Sequence, residues 1–224
     1  MDSSDIELVI FDCDGVLIDS EIISAITMIE LLKPLGIEID ANHIQQHFLG
    51  RSFPTVAQLI SRQFQTELPA NFEDQYRNHL LETFEDQLQS SNGIKQALEE
   101  IDVPVCVATS SSPQRARRSL EITGLFKYFD ARIYTASQVA NGKPAPDLFL
   151  FVAKELKTEP QKCLVVEDSI PGLEAAAAAG MKAIRYVGGS HFDTCRDAAR
   201  KEMPGVQCFD SWAEFFNMMQ MSEK

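Results

Sequence analysis

An α/β fold, in which helices wind both faces of a parallel sheet and a small all-helical segment interrupts the pattern, is predicted from three features of the sequence. Four short apolar runs end in polar or acidic residues, helical patterns separate most of them, and one long interval carries helices alone. The first run is Glu7 to Asp12 (ELVIFD), and Val103 to Ala108, Cys163 to Val166 and Lys182 to Tyr186 have the same character. Continuous apolar runs of this length suit parallel strands buried on both faces.

The helices between them have readable ends. Ser112-Pro113 caps and starts one helix, and the alanine-rich stretch Pro171 to Ala179 is closed by Gly180. From Ser20 to Leu88 the alternation stops. Amphipathic patterns cover Ile22 to Leu35, Asn42 to Phe48, Thr55 to Gln65 and Phe72 to Phe84, with no strand pattern among them. Residues 1–18 and 89–224 are therefore read as one α/β core and 19–88 as a helical insertion, with Gly15 to Ser20 and Ser91 to Gly93 as hinges. The alternation resumes after Asn92-Gly93 and ends on a helix from Trp212 to Met219.

Composition narrows the classes of function. With 45% hydrophobic and 24% charged residues, the 224-residue chain has the profile of a globular protein. A net charge of −13 argues against a nucleic-acid partner, because phosphate backbones are bound by basic surfaces. The basic cluster Arg115, Arg117 and Arg118 reads as a solvated helix face. Five cysteines without CxxC spacing suggest neither a disulfide framework nor a zinc knuckle and fit a reducing compartment. The opening MDSSDIELVIF lacks the basic region and apolar stretch of a signal peptide, and no apolar run approaches the ~18 residues of a membrane span. A cytoplasmic protein without a membrane partner, monomeric or weakly dimeric, is expected.

Sheets of this kind bind ligands beyond the carboxyl ends of their strands. Asp12 and Asp14 follow the first run in FDCDG. Thr109, Ser110 and Ser111 follow the second, Glu167 and Asp168 follow CLVV, and Lys143 lies in the loop sequence NGKPAPD. Gly15 permits a tight turn after the two aspartates. Unit charges about 4 Å apart repel by about 4 kcal/mol at an effective dielectric of about 20. Several carboxylates in one cleft therefore call for a divalent cation, and hard oxygen ligands favour Mg²⁺. The Thr109–Ser111 segment, between a strand and a helix started by proline, offers backbone N–H groups and hydroxyls to a phosphate.

DCDGVLIDSE, VATSSS, GKPAPD and VVEDSIPGLEAAAAAG, in that order, resemble the four motifs of the haloacid dehalogenase-like hydrolases, and the resemblance spans essentially the whole chain. It implies a Rossmann-like core with a small helical cap, close to sugar-phosphate phosphatases and β-phosphoglucomutases. It also implies that Asp12 attacks phosphorus to form an aspartyl-phosphate while Asp14 protonates the leaving oxygen and then activates water. Thr109 would hydrogen-bond the phosphoryl group and Lys143 would stabilise Asp12. Asp12, the Asp14 carbonyl, Glu167 and Asp168 would hold Mg²⁺. The expected partner is a small phosphorylated metabolite, hydrolysed as a phosphate monoester.

Within the family, metal-free dehalogenases lack the counterpart of Asp14, which argues against dehalogenation. Phosphonate hydrolases need a lysine early in the cap, whereas the one candidate, Lys33, stands after a long apolar helix, which argues against that activity too. Mutases of the β-phosphoglucomutase type carry a His and an Arg where Ser24 and Phe53 stand here, which favours hydrolysis. A non-catalytic metabolite-binding protein is the rival from another class, and the full acidic set argues against it. Glu21 and Arg51 are read as substrate-binding with Ser110 and Ser111, Arg51 because its guanidinium forks onto anions. His43 and His47, four apart, have a zinc-like spacing but no accompanying glutamate, and Cys13 is read as a small apolar core residue.

Overall fold

Period-two alternation sends each apolar run into two separate cores. Val9, Phe11, Val107, Leu164, Val166 and Ile184 face one of them, while Leu8, Ile10, Cys106, Ala108, Cys163 and Val165 face the other. The computed structural model describes residues 5–220. Its strands are β1 (Leu8–Phe11), β2 (Val105–Thr109), β3 (Ile133–Thr135), β4 (Cys163–Glu167), β5 (Lys182–Tyr186) and β6 (Gln207–Phe209). They form one parallel sheet in the order β3-β2-β1-β4-β5-β6. The four apolar runs supply β1, β2, β4 and β5, and the three-residue edge strands β3 and β6 complete the sheet.

The interval without strands forms α1 (Glu21–Leu32), α2 (Ala41–His47), α3 (Phe53–Phe64) and α4 (Phe72–Gln87). The remaining helices are α5 (Ile94–Glu100), α6 (Pro113–Ile122), α7 (Phe126–Phe129), α8 (Asp147–Glu155), α9 (Ile170–Ala178), α10 (Arg196–Glu202) and α11 (Trp212–Gln220). Leu148, Phe149 and Val152 of α8 and Ala175 and Ala176 of α9 cover one sheet face. The other face is covered from α5, α6 and α11, and its core continues without a break into Met28, Leu32, Ile60, Leu80 and Phe84 of the helical segment. Two chain crossings join that segment to the sheet and lie side by side. Asp19 N donates to Gln89 O at 3.0 Å and Ser91 N to Leu17 O at 2.9 Å.

Helix α9 shows how local sequence sets up the site above it. Ser169 caps its N-terminus by accepting from Gly172 N, Pro171 starts it, and the chain leaves through Gly180 at φ 70°. Small residues let its first turn lie close under β4: a side-chain carbon at Gly172 would fall 1.8 Å from Glu167 Oε1. Gly172→Ala is expected to lower stability by about 1–3 kcal/mol through overpacking, read as a shift in the urea midpoint. Unchanged stability would show that Glu167 can move aside.

Candidate functional site

Parallel register brings the acidic and hydroxyl residues to one edge. Phe11 pairs with Val107 and with Val166, so Asp12 and Glu167 emerge level from β1 and β4, with Thr109 one residue further along β2. Lys143, in the loop before α8, reaches across all three strands. Its Nζ donates to Asp12 Oδ1 and Glu167 Oε1, each at 2.6 Å, and to Ala108 O at 3.0 Å, with the side chain only 1% exposed. Burial opposes its charge, but Asp12 and then Glu167 hold its pKa above the ordinary lysine value, so it stays an ammonium.

The acids outnumber this one cation. Glu167 Oε2 accepts from Asp168 N, Ser169 N and Ser169 Oγ, each at 2.9 Å, so both of its oxygens have donors. Burial, with Glu167 adding repulsion, drives the Asp12 and Asp168 carboxyls well above the usual range. Oxygens of Asp12, Glu167 and Asp168 lie within 4.8 Å of one another, and Asp168 Oδ2 is buried with no hydrogen-bond partner among the described residues. An orphaned carboxylate oxygen within an all-oxygen, over-acidic cluster fits a hard divalent cation.

Asp14 sits in the opposite environment. Its Oδ1 accepts from Ser20 Oγ and Arg115 Nη2 and its Oδ2 from Ser111 Oγ, all at 2.6 Å. Burial alone would raise its pKa, yet Arg115, Ser111 and Ser20 together hold it below the carboxylate norm. Arg115 therefore corrects the reading of the basic cluster as a solvated face. Only Arg117 and Arg118 fit that reading, pairing with Glu121 and Glu85 on the surface. Arg115 turns inward, with a second bond to Ser24 Oγ at 3.0 Å and its guanidinium over Phe84. Helix periodicity carried the missing signal. With Ser112 as cap, Arg115 falls one turn before buried Ser119, beside Ala116.

The hydroxyl segment divides its work. Thr109 Oγ1 accepts from Ser111 N at 3.0 Å, Ser111 Oγ holds Asp14, and Ser110 Oγ donates to Gly50 O at 3.0 Å in the loop before α3. A cavity of about 700 Å³ lies between this edge and the helical segment, lined by Asp12, Asp14, Glu21, Arg51, Thr109, Ser110, Ser111, Lys143 and Asp168 with Met28, Phe48 and Tyr76. All the residues picked from sequence line it except Glu167, which lies beneath its floor and is wholly buried. Arg51 makes no ion pair among the described residues, whereas Lys143, Arg115 and Arg77 each have an acidic partner. Phe53 stacks on Tyr76 at the rim.

Glu21 is half-buried, and burial, Asp14 and Asp168 push its carboxyl up to about 8. Cys13 is buried and burial keeps its thiol protonated, in keeping with a core residue. His43 and His47 lie ring to ring at 4.6 Å beside Phe48 and Phe64, and the acidic cluster is the one group of three or more candidate metal ligands among the described residues.

A family model described as haloacid dehalogenase-like hydrolase matches residues 6–180, and the chain belongs to that family. It is 26% identical to the 6-phosphogluconate phosphatase of Escherichia coli, over 84% of this chain and 86% of that protein. It is 30% identical to the phosphorylated carbohydrates phosphatase of Thermotoga maritima, over 80% and 83% of the two chains. The fold superimposes with a TM-score of 0.81 on the crystal structure of a conserved haloacid dehalogenase-like protein of unknown function from Agrobacterium tumefaciens, 30% identical, covering 98% of this chain and 100% of that one. These relatives support assignment of the chain as a phosphoric monoester hydrolase.

The raised carboxyl of Glu21 has a measurable consequence without metal. The folded state retains its proton between pH 4.5 and about 8 while the unfolded state releases it, so this group makes stability fall as pH rises through that window. Glu21→Gln is expected to unfold at higher temperature than wild type at pH 8, with the gap closing toward pH 4.5. An equal gap at both pH values would contradict the raised carboxyl.

Proposed function

We propose that the protein is a Mg²⁺-dependent phosphatase acting on a small sugar or sugar-acid phosphate through an aspartyl-phosphate on Asp12. The observation that carries this reading is the contact of Lys143 Nζ with Asp12 Oδ1, 2.6 Å, between two residues that line the cavity. An ammonium there opposes the upward push of burial and like charge on the attacking carboxylate, a push that a cation beside Asp168 would offset further, and it counters the charge of an arriving phosphate. The carbohydrate-phosphate relatives support the substrate class.

In this reading Asp12 attacks phosphorus while Thr109 and the N–H groups after β2 receive the phosphoryl oxygens. Asp14 supplies a proton to the leaving oxygen and afterwards takes one from water. As held by Arg115, Ser20 and Ser111, Asp14 is ionised, the form suited to the second step; protonation of the leaving group requires that clamp to loosen. Asp12, the Asp14 carbonyl and Asp168, with Glu167 behind them, would hold Mg²⁺, which would supply charge neutralisation. Residues 19–88 serve as the cap, closing over the cavity to exclude water, with Glu21 and Arg51 toward the sugar. Hydrolysis is preferred to mutase chemistry because Ser24 is bonded to Arg115 and Phe53 is stacked in the cap, where a mutase has a His and an Arg.

Phosphate release from a panel of hexose phosphates, pentitol phosphates, phosphoglycolate and 6-phosphogluconate tests the reading. Wild type is expected to turn over with Mg²⁺ and to stop with chelator, and Asp12→Asn to be inactive under both conditions. Activity in Asp12→Asn equal to wild type would sink the covalent mechanism. Isomerisation dependent on a bisphosphate would favour the mutase, and binding without turnover would favour a non-catalytic protein.

A further inference from the structure

The segment after β5, Gly188 to Phe192, carries none of the four motifs, yet it packs directly behind the acidic cluster. His191 places Nε2 3.2 Å from Asp168 Oδ2, and the two side chains are 7% and 3% exposed. Both imidazole nitrogens and Asp168 Oδ2 are buried without a hydrogen-bond partner among the described residues. Leaving a buried polar atom unpaired costs about 1–3 kcal/mol, so three of them together mark a place where a bond is completed in another state. A neutral imidazole has one N–H to give, and an ionised carboxylate only accepts.

The ring is fixed by its surroundings. A side-chain carbon at Gly15 would meet Asp168 Oδ2 at 2.1 Å and the His191 ring at 3.1 Å, and one at Gly189 would meet the ring at 2.7 Å. The neighbouring Ser190 donates through N and Oγ to Asp19 Oδ1, at 3.2 and 2.8 Å, which anchors the segment to the first chain crossing. Arg185 Nε donates to Asp168 O at 2.8 Å, so the Asp168 backbone is held while its Oδ2 has no donor among the described residues. His191 Nε2, 3.2 Å from that oxygen and itself without a partner among the described residues, is placed to supply the donor.

We propose that His191 is a positioning residue of the metal site, donating from Nε2 to Asp168 so that this carboxylate is held beside Asp12 and Glu167 when the cation binds. The inference rests on the metal-site reading above. Partners behind a metal ligand commonly change metal affinity by about 10–100-fold.

The test uses the purified full chain and Mg²⁺ alone, without substrate. Unfolding temperature is followed as Mg²⁺ is titrated, because a ligand that binds only the folded state raises it with the logarithm of its concentration over its Kd. His191→Leu should require at least tenfold more Mg²⁺ for the same rise in temperature, and His191→Gln, which keeps an N–H donor, should recover most of the loss. A merely structural role would lower the metal-free unfolding temperature and leave the Mg²⁺-dependent rise intact. That result, or an unchanged titration in His191→Leu, overturns the proposal while wild-type binding keeps the metal site. Absence of any Mg²⁺ response in wild type, with Asp168→Asn behaving identically, overturns the metal-site reading itself and His191's role with it.

Discussion

The ammonium of Lys143, buried between Asp12 and Glu167, is the interaction on which the site depends. It ties together the ends of β1, β2 and β4 through Asp12, the Ala108 carbonyl and Glu167. Removing one partner of a buried ion pair leaves an uncompensated charge and costs about 3–5 kcal/mol. Much of the architecture serves this contact. Gly172 lets α9 lie against Glu167, Ser169 and two backbone N–H groups complete the Glu167 carboxylate, and the cis-linked Lys143-Pro144 loop carries the lysine across the sheet edge.

Two aspartates separated by one residue acquire opposite characters from their surroundings. Asp12 looks toward Glu167 and Asp168, where burial and like charge favour a bound proton or a cation in its place. Asp14 looks toward Arg115, Ser20 and Ser111, which favour its ionised form. Divergence of this kind lets neighbouring carboxyls take different roles in one reaction. It also links the site to the helical segment, since Arg115 bonds Asp14 and Ser24 of α1 with the same nitrogen and lies over Phe84 of α4.

The sheet was legible because its central strands are continuous apolar runs, and the site because its acidic residues stand directly after them. Edge strands β3 and β6 have three residues each, too short for an apolar run to stand out from a loop. Arg115 was hidden by its neighbours: three arginines in four positions look like a solvated face, and only the phase of α6 separates the inward one from Arg117 and Arg118. His191 and Arg185 lie outside every motif, and their contacts with Asp168 come from chain segments that local sequence does not bring together. The hydroxyl segment is expected to cradle a phosphate; in the structure its Ser110 and Ser111 hydroxyls bond the Gly50 carbonyl and Asp14, and Ser111 N donates to Thr109 Oγ1, partners that no local pattern announces.

Covalent phosphorylation of Asp12, the carboxylate paired with Lys143, is what the proposed mechanism stands on. Borohydride added during turnover of an activated phosphate monoester reduces an acyl phosphate to an alcohol, and peptide mass spectrometry locates the product. Homoserine at position 12, formed with Mg²⁺ and substrate and missing when either is withheld, is the predicted result. Phosphate release at full rate with Asp12 unreduced, while a control acyl phosphate is reduced under the same conditions, would contradict it.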